Sequence, residues 1–241
     1  MKKFIITCAI LLLPIYSIAS DFTLLTSEPG RKAKAELSSE ALFIEVVKEA
    51  LGRANLTTKI KKKPWIKAQQ LVKKAEPSER LLIAPLTRTK EREDHYDWIV
   101  PLASYKLLFV TVDKSIDILD IKSLKKEAIC VLRESPAEYK LKELGFPDIL
   151  SRVQVQKCFK GLKKGSQKVV LAHGERVSRA LYQQIGGDPK QLILGQPFTE
   201  YTVYLAATKA ALPESTQQKL RNAMDAMKID QTYEKIFAKY R

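Results

Sequence analysis

Short apolar runs alternate with longer amphipathic stretches along most of the chain, and this alternation limits the folds that it can adopt. Most of the runs are rich in β-branched or aromatic residues and are bounded by polar segments, which is typical of strands. Strands that alternate with helices favour mostly parallel sheets with helices on their faces. The sequence therefore predicts the α/β class. The predicted strands cover residues 22–25, 81–84, 107–112, 129–132, 152–155, 168–172 and 201–206.

The stretches between these runs have the spacing of helices. Residues 38–54 place Leu42, Val46 and Ala50 in one row of a helix. Residues 135–145 open with a capping Ser135 and close on Gly145, a complete pair of helix start and stop signals. Further helices are predicted from Trp65 to Ala75 and, as a pair, at the C-terminus.

The first 20 residues have the composition of a secretory signal peptide. Lys2 and Lys3 precede an apolar run from Phe4 to Ile15, and small residues follow up to Ser20. A membrane anchor is the alternative, but the apolar run is short of the ~20 residues that span a bilayer. We therefore expect cleavage after Ala19 or after Ser20, and a periplasmic protein.

Two cysteines, Cys130 and Cys158, remain after this segment. An oxidising compartment permits one disulfide between them, and the sequence is equally compatible with two separately buried thiols. The two histidines and these cysteines are too widely spaced for a recognisable metal site. We expect no metal and no cofactor.

The formal net charge of +15 favours anionic partners. Nucleic acid is not expected, because the lysines are spread along the chain, no basic-aromatic motif appears, and the protein is predicted to be exported. Scattered charge of this kind is also typical of an ordinary solvated surface.

The segments 85–93 (PLTRTKERE) and 95–102 (HYDWIVPL) resemble the extracellular solute-binding proteins of family 3, the periplasmic receptors of polar amino-acid ABC transporters. The resemblance extends over nearly the whole chain after residue 20. It implies a type II periplasmic-binding fold with lobe one at residues 21–109 and 200–241 and lobe two at 110–199. Two strands would cross between the lobes as a hinge, so that the lobes close on a solute. It also implies a monomer with an ABC permease or another membrane protein as its partner.

The resemblance places ligand-binding roles on particular residues. Arg92 would hold a ligand carboxylate, because a guanidinium group can donate two parallel hydrogen bonds to it. Thr87 would contribute its hydroxyl or backbone, and Arg88, one position away, is a weaker candidate. A surface pairing of Arg92 with Glu91, Glu93 or Asp97 is the alternative. Ser135 would face the same carboxylate from the start of a helix, unless it only caps that helix.

The sequence departs from amino-acid receptors of this family on lobe two. His173 stands where an acidic residue usually holds the α-ammonium group of the ligand, and imidazole cannot neutralise an ammonium. Glu175 would replace it if the loop is shifted by two residues. In lobe one, Glu28 lies in the first loop, where an aromatic residue is common, and Trp65 would supply a replacement wall unless it serves packing. These departures favour a small carboxylate or another organic anion over an ordinary amino acid.

The resemblance implies binding and not catalysis, and three other functions stay open. The first is a sensory or accessory binding module that works without transport. The second is an enzyme like the cyclohexadienyl dehydratases, which share this fold. The third is a cationic protein that adheres to anionic polymers of the cell envelope. The sequence contains no recognisable catalytic set of residues, with Glu28, His173 and Glu175 as loose acid or base candidates.

Overall fold

The computed structural model describes residues 22–27 and 39–240. The predicted signal peptide and Glu28 lie outside these residues. Nine strands are present in the described part, at Phe22–Ser27 (β1), Thr58–Lys63 (β2), Leu81–Thr87 (β3), Tyr96–Thr111 (β4), Ile129–Leu132 (β5), Ile149–Arg152 (β6), Val169–His173 (β7), Ile193–Leu194 (β8) and Thr199–Thr208 (β9). The helices are Ser39–Arg53 (α1), Trp65–Lys74 (α2), Ile121–Leu124 (α3), Pro136–Glu143 (α4), Val155–Lys164 (α5), Gly174–Gln184 (α6), Glu214–Ile229 (α7) and Thr232–Ala238 (α8).

The strands form one mixed sheet in the order β2-β1-β3-β9-β4-β7-β5-β6, with β8 paired to β4. Four strand pairs of the described residues are parallel and four are antiparallel. Every antiparallel pair includes β4 or β9, and these two strands also pair with each other. The predicted parallel pairing is therefore found in the outer parts of the sheet, whereas the pairs around β4 and β9 are antiparallel.

The strands β4 and β9 connect the two halves of the molecule. Their register runs from Tyr96 opposite Thr208 to Leu107 opposite Thr199. The chain leaves the first half along β4 and returns along β9, so the two strands must run in opposite directions. This pair is the structural counterpart of the two predicted crossing strands.

Buried side chains form separate cores toward the two ends of this strand pair. One side contains the cluster around Leu24, Val46 and Leu220 and the cluster around Leu25, Val72 and Ile83. The other side contains the cluster around Leu107, Val131 and Leu141 and the cluster around Val110, Phe159 and Val170. Each end of the strand pair thus has its own two buried clusters. The molecule is therefore a two-lobed α/β structure whose lobes are joined by two strands. The exact lobe boundaries stay a prediction.

Most predicted elements lie where the sequence places them, with one displaced strand. The strand expected at residues 152–155 is β6, which ends at Arg152, and Val155 is already the first residue of α5. The register explains the difference, because β6 pairs along its whole length with β5, from Ile129 opposite Ile149 to Leu132 opposite Arg152.

Cys130 and Cys158 form a disulfide that links β5 to α5, with their Cα atoms 5.5 Å apart. Both residues are buried in the second lobe, within the cluster that contains Phe159. Among the residues described, no helix combines the length and the apolar character needed to cross a bilayer.

Candidate functional site

Arg92 lies at a contact between the two lobes. It belongs to the 3-10 helix Lys90–His95 that follows β3, and only 5% of its surface is exposed. Its Nη1 donates to the carbonyl oxygen of Thr87 at 2.9 Å, and its Nη2 donates to the carbonyl oxygen of Glu134 at 2.6 Å. Thr87 ends β3 in the first lobe, whereas Glu134 follows β5 in the second. The guanidinium group therefore bridges the two sides of the cleft.

No ion pair within residues 22–27 and 39–240 includes Arg92. Glu93, one of its possible surface partners, instead pairs with Arg88, and Asp97 lies 3.6 Å from Nζ of Lys209. A buried charge usually has a partner of opposite charge, because removing it from water is costly. The site therefore offers a buried positive charge that has no ion-pair partner among the described residues.

Thr87 begins a line of polar and aromatic side chains beside Arg92. Its hydroxyl lies 3.1 Å from that of Tyr105, whose ring is 4.5 Å from the ring of His173 and 6.0 Å from that of Tyr201, centroid to centroid. Tyr105 and Tyr201 are directly opposite each other on β4 and β9. These aromatic rings therefore line the connection between the lobes, close to the guanidinium group.

Tyr139 of α4 adds a ring from the second lobe. The guanidinium carbon of Arg92 lies 5.7 Å from its centroid, within the range of a cation–π contact. Burial raises the pKa of Tyr139, so its hydroxyl stays protonated. We call Arg92, Thr87, Tyr105, Tyr139, His173 and Tyr201 the Arg92 cluster.

His173 ends β7 and is neutral in this surrounding. Burial lowers its pKa from 6.5 to about 4, and the positive charge of Arg92 acts in the same direction. The side chain is nonetheless partly exposed to solvent, as expected for a group inside a cleft. A neutral imidazole can donate or accept a hydrogen bond, but it does not attract an ammonium group.

Four carboxylates, those of Glu91, Glu134, Glu138 and Glu143, stand near the tyrosines of the cluster. Burial raises the pKa of Tyr201, and the charges of Glu143 and Glu91 add to this effect. For Tyr139 the second lobe contributes Glu134 and Glu138 as well. None of these acids was predicted as a ligand-binding residue, and Glu91 was considered only as a surface partner of Arg92. Glu134 has a φ of +55°, a left-handed conformation that is uncommon for a residue with a side chain.

Ser135 is occupied with its own helix. Its Oγ accepts a hydrogen bond from the backbone N–H of Glu138 at 3.3 Å, which is an N-cap contact for α4. Glu138 in turn accepts from the backbone N–H of Glu134 at 2.6 Å and from the hydroxyl of Ser151 at 2.8 Å. These bonds fix the turn that carries the Glu134 carbonyl, the acceptor for Arg92. The structure thus gives Ser135 the capping role that the sequence left open.

Arg88 points to a different surface. Its Nε donates to Glu93 at 2.9 Å, and its guanidinium carbon lies 5.6 Å from the ring centroids of both Trp98 and Tyr204. The pairing with Glu93 raises its pKa further. None of these partners belongs to the Arg92 cluster.

Trp65 and Glu175 lie outside the Arg92 cluster. Trp65 begins α2 and lines a groove of about 690 Å³ with Leu71 and Val153. Glu175 lies in the first turn of α6, accepts from Nε of Arg179 at 2.7 Å, and borders a cavity of about 290 Å³. The structure therefore brings together Arg92, Thr87 and His173, but not Trp65, Glu175 or Arg88.

Sequence reasoning missed the tyrosines of the cluster and one threonine. Thr89 is buried, and within the described part of the chain its hydroxyl has no hydrogen-bond partner. Its position three residues before Arg92 was the available signal. No group of three or more His, Cys, Asp or Glu side chains in the described residues is arranged to hold a metal ion.

Comparisons with solved structures show the fold. The ligand-binding core of GluR0 from Nostoc punctiforme, in complex with L-glutamate, is 16% identical with a TM-score of 0.74, over 91% of this chain and 98% of that one. A histidine kinase sensor domain with similarity to periplasmic binding proteins is 10% identical with a TM-score of 0.76, over 92% and 96%. The arginine-, lysine- and histidine-binding protein ArtJ from Geobacillus stearothermophilus is 15% identical with a TM-score of 0.72, over 91% and 94%.

No protein-family model matches the chain, and no curated protein matches it significantly. The structural matches span nearly the whole length of both partners. The chain therefore has the two-lobed fold of periplasmic binding proteins.

Proposed function

We propose that this protein is an exported receptor that closes its two lobes on a small carboxylate-bearing ligand, which Arg92 holds. The observation that carries the proposal is the buried guanidinium group without an ion pair among the described residues. A ligand carboxylate would supply the missing negative charge and form two charge-assisted hydrogen bonds. The contact from Arg92 to Glu134 across the cleft would couple ligand binding to closure.

The hydrogen bonds of Arg92 leave room for such a ligand. A guanidinium group has five N–H donors, and the two backbone carbonyls engage one each. Thr87 and Thr89 are the adjacent hydroxyl donors on the same segment, and Thr89 has no partner within the described residues. Together they suit an anion better than a neutral solute.

The neutral His173 favours an organic anion without an α-ammonium group. An amino acid would need a carboxylate for its ammonium, and the acids that affect the cluster's tyrosines are Glu91, Glu134, Glu138 and Glu143. We therefore keep amino-acid-like ligands as the second class. The two classes of ligand differ only in the ammonium group. Comparing the affinity for an amino acid with that for the matching acid without the ammonium group therefore distinguishes them.

Transport is the role that we propose, with an ABC permease as the partner and the periplasm as the location. One structural neighbour binds arginine, lysine and histidine, and another is a kinase sensor domain. The second of these supports a sensory module as the alternative role. A permease and an ATPase encoded beside this gene would favour transport, whereas an adjacent kinase gene would favour sensing.

The test is a thermal-shift screen of the purified protein against organic acids and amino acids, followed by calorimetric titration of the best ligands. A ligand that binds the folded state raises the melting temperature. Arg92→Ala should weaken carboxylate binding at least about 100-fold, because truncating one partner of a buried charge pair costs several kcal/mol. Arg92→Lys should recover only part of it.

Arg88→Ala is the matched control, since it removes an arginine four residues away whose partners lie outside the cluster. Equal losses in the Arg88 and Arg92 variants would contradict the assignment. If the best ligands carry no carboxylate, the carboxylate proposal is wrong. Consumption of prephenate or arogenate would establish the dehydratase alternative.

A further inference from the structure

The segment 58–74 contains seven lysines and no acidic residue. It comprises β2, the outermost strand of the first lobe, and α2. Lys59, Lys61, Lys67, Lys73 and Lys74 are exposed. Within the part of the chain that the structure describes, none of the seven forms an ion pair. The surface thus concentrates positive charge that the protein does not neutralise.

Three of the four lysines of β2 lie on the same side of the sheet as α2. Ile60 packs against the cluster around Leu24, and alternate residues of a strand point to opposite faces. Lys59, Lys61 and Lys63 therefore point to the other face. This face is the one that α2 covers, because Ala68 and Val72 of α2 pack with Leu25. Lys61 is in register with Leu25 on the adjacent strand.

The outward stripe of α2 continues this surface. Lys67, Leu71 and Lys74 are spaced by one helical turn and line the groove that also contains Trp65 and Ile66. Leu71 is 39% exposed. Glu79 and, from the second lobe, Val153 also line this groove. The result is a basic surface next to an apolar groove. We call this surface the lysine face, made up of Lys59, Lys61, Lys63, Lys67, Lys73 and Lys74.

Protection of a sheet edge explains only part of this arrangement. Lysines on an outer strand discourage pairing with other chains. That reason applies to β2, but it does not apply to the three lysines of α2, which has no free edge. The residues of this surface are also untypical of a protein–protein interface, because lysine is depleted in such interfaces and arginine and tyrosine are enriched.

We infer that the lysine face docks the protein on an anionic lipid bilayer. Hydrated lysine charges attract an anionic membrane surface without a fixed geometry, and each one near the surface strengthens binding about fivefold. Trp65, Ile66 and Leu71 suit the boundary between headgroups and acyl chains. This inference does not depend on Arg92, because the ligand cleft and the lysine face share no residue.

The experiment is co-sedimentation of the purified protein with vesicles of phosphatidylcholine alone or with about one third phosphatidylglycerol. Binding should appear only with the anionic vesicles and should weaken steeply as salt screens the charges. The variant K61Q/K67Q/K74Q should bind at least tenfold more weakly. The variant K61R/K67R/K74R keeps the charge and should bind like the parent.

The control variant K219Q/K228Q/K235Q loses the same charge from α7 and α8. These helices pack on the opposite face of the sheet, in the cluster with Leu24, and the three lysines are exposed. The control should change binding less than twofold. An equal loss in both glutamine variants, or equal binding to neutral vesicles, would overturn the inference. Binding to soluble polyglutamate but not to anionic vesicles would also overturn it, and would indicate an acidic protein partner.

Discussion

His173 and Arg92 share one cleft, and the protein keeps only one of them charged. Burial and the neighbouring guanidinium group hold the pKa of His173 at about 4, whereas its ordinary value is 6.5. Between these two pH values the unfolded chain binds more protons at this residue than the folded protein does. The contribution of His173 to stability is therefore complete above pH 6.5 and is lost as the pH falls toward 4.

We expect the free energy of unfolding to fall by about 1–2 kcal/mol between pH 6.5 and pH 4.5 because of this residue. Urea denaturation at several pH values measures it. His173→Gln cannot gain the proton and should have a flatter profile over this interval. His95→Gln removes the other histidine, and an equally flat profile there would show that the effect does not come from His173.

At the scale of elements, α4 depends on the turn that also receives Arg92. Ser135 caps the helix, so Ser135→Ala should lower stability by about 1 kcal/mol, whereas Ser135→Asp should retain most of it. Ligand affinity should change less than threefold in both variants, because the hydroxyl is engaged with Glu138. Thermal denaturation and calorimetry of the two variants test this. A large loss of affinity in Ser135→Ala with stability retained would support the ligand-binding role of Ser135 instead.

The disulfide links β5 to α5 across 28 residues. Closing a loop of this length stabilises a fold by about 3–4 kcal/mol. The double variant Cys130→Ala/Cys158→Ala should lose stability of this order in a denaturant titration. Its reference is the parent protein under oxidising conditions, after mass spectrometry has confirmed that no free thiol is present. Two free thiols in that measurement would contradict the bridge.

The elements that could be predicted depend on residues close together in sequence, whereas the missed ones depend on contacts formed during folding. The helix at α4 could be predicted because its cap residues are local in sequence. In contrast, β2 could not, because its lysine-rich sequence lacks strand character and only pairing with β1 holds it extended. The Arg92 cluster shows the same limit. Arg92 follows a recognisable strand, whereas Tyr105, Tyr139 and Tyr201 come from three separate elements and meet it only after folding.

At the scale of the whole molecule, two arginines connect the lobes. Arg92 donates to the carbonyl of Glu134, and Arg176 of α6 donates to the carbonyl of Tyr240 beyond α8. Both contacts exist only when the lobes are close. These two contacts therefore help to set the fraction of ligand-free molecules that are closed. The apparent affinity for the ligand rises with that fraction.

Arg176→Ala removes one of these contacts without touching the Arg92 cluster. We expect a larger radius of gyration in the ligand-free protein by small-angle X-ray scattering, and an affinity for the ligand that is a few-fold weaker. With saturating ligand, the radius should return to that of the parent, because ligand binding compensates for the lost contact. Arg179→Ala is the matched control on the same helix, since Arg179 bonds Glu175 and the carbonyl of Pro189 within the second lobe. If both variants change the scattering equally, or if Arg176→Ala leaves it unchanged, the contact to Tyr240 does not control closure.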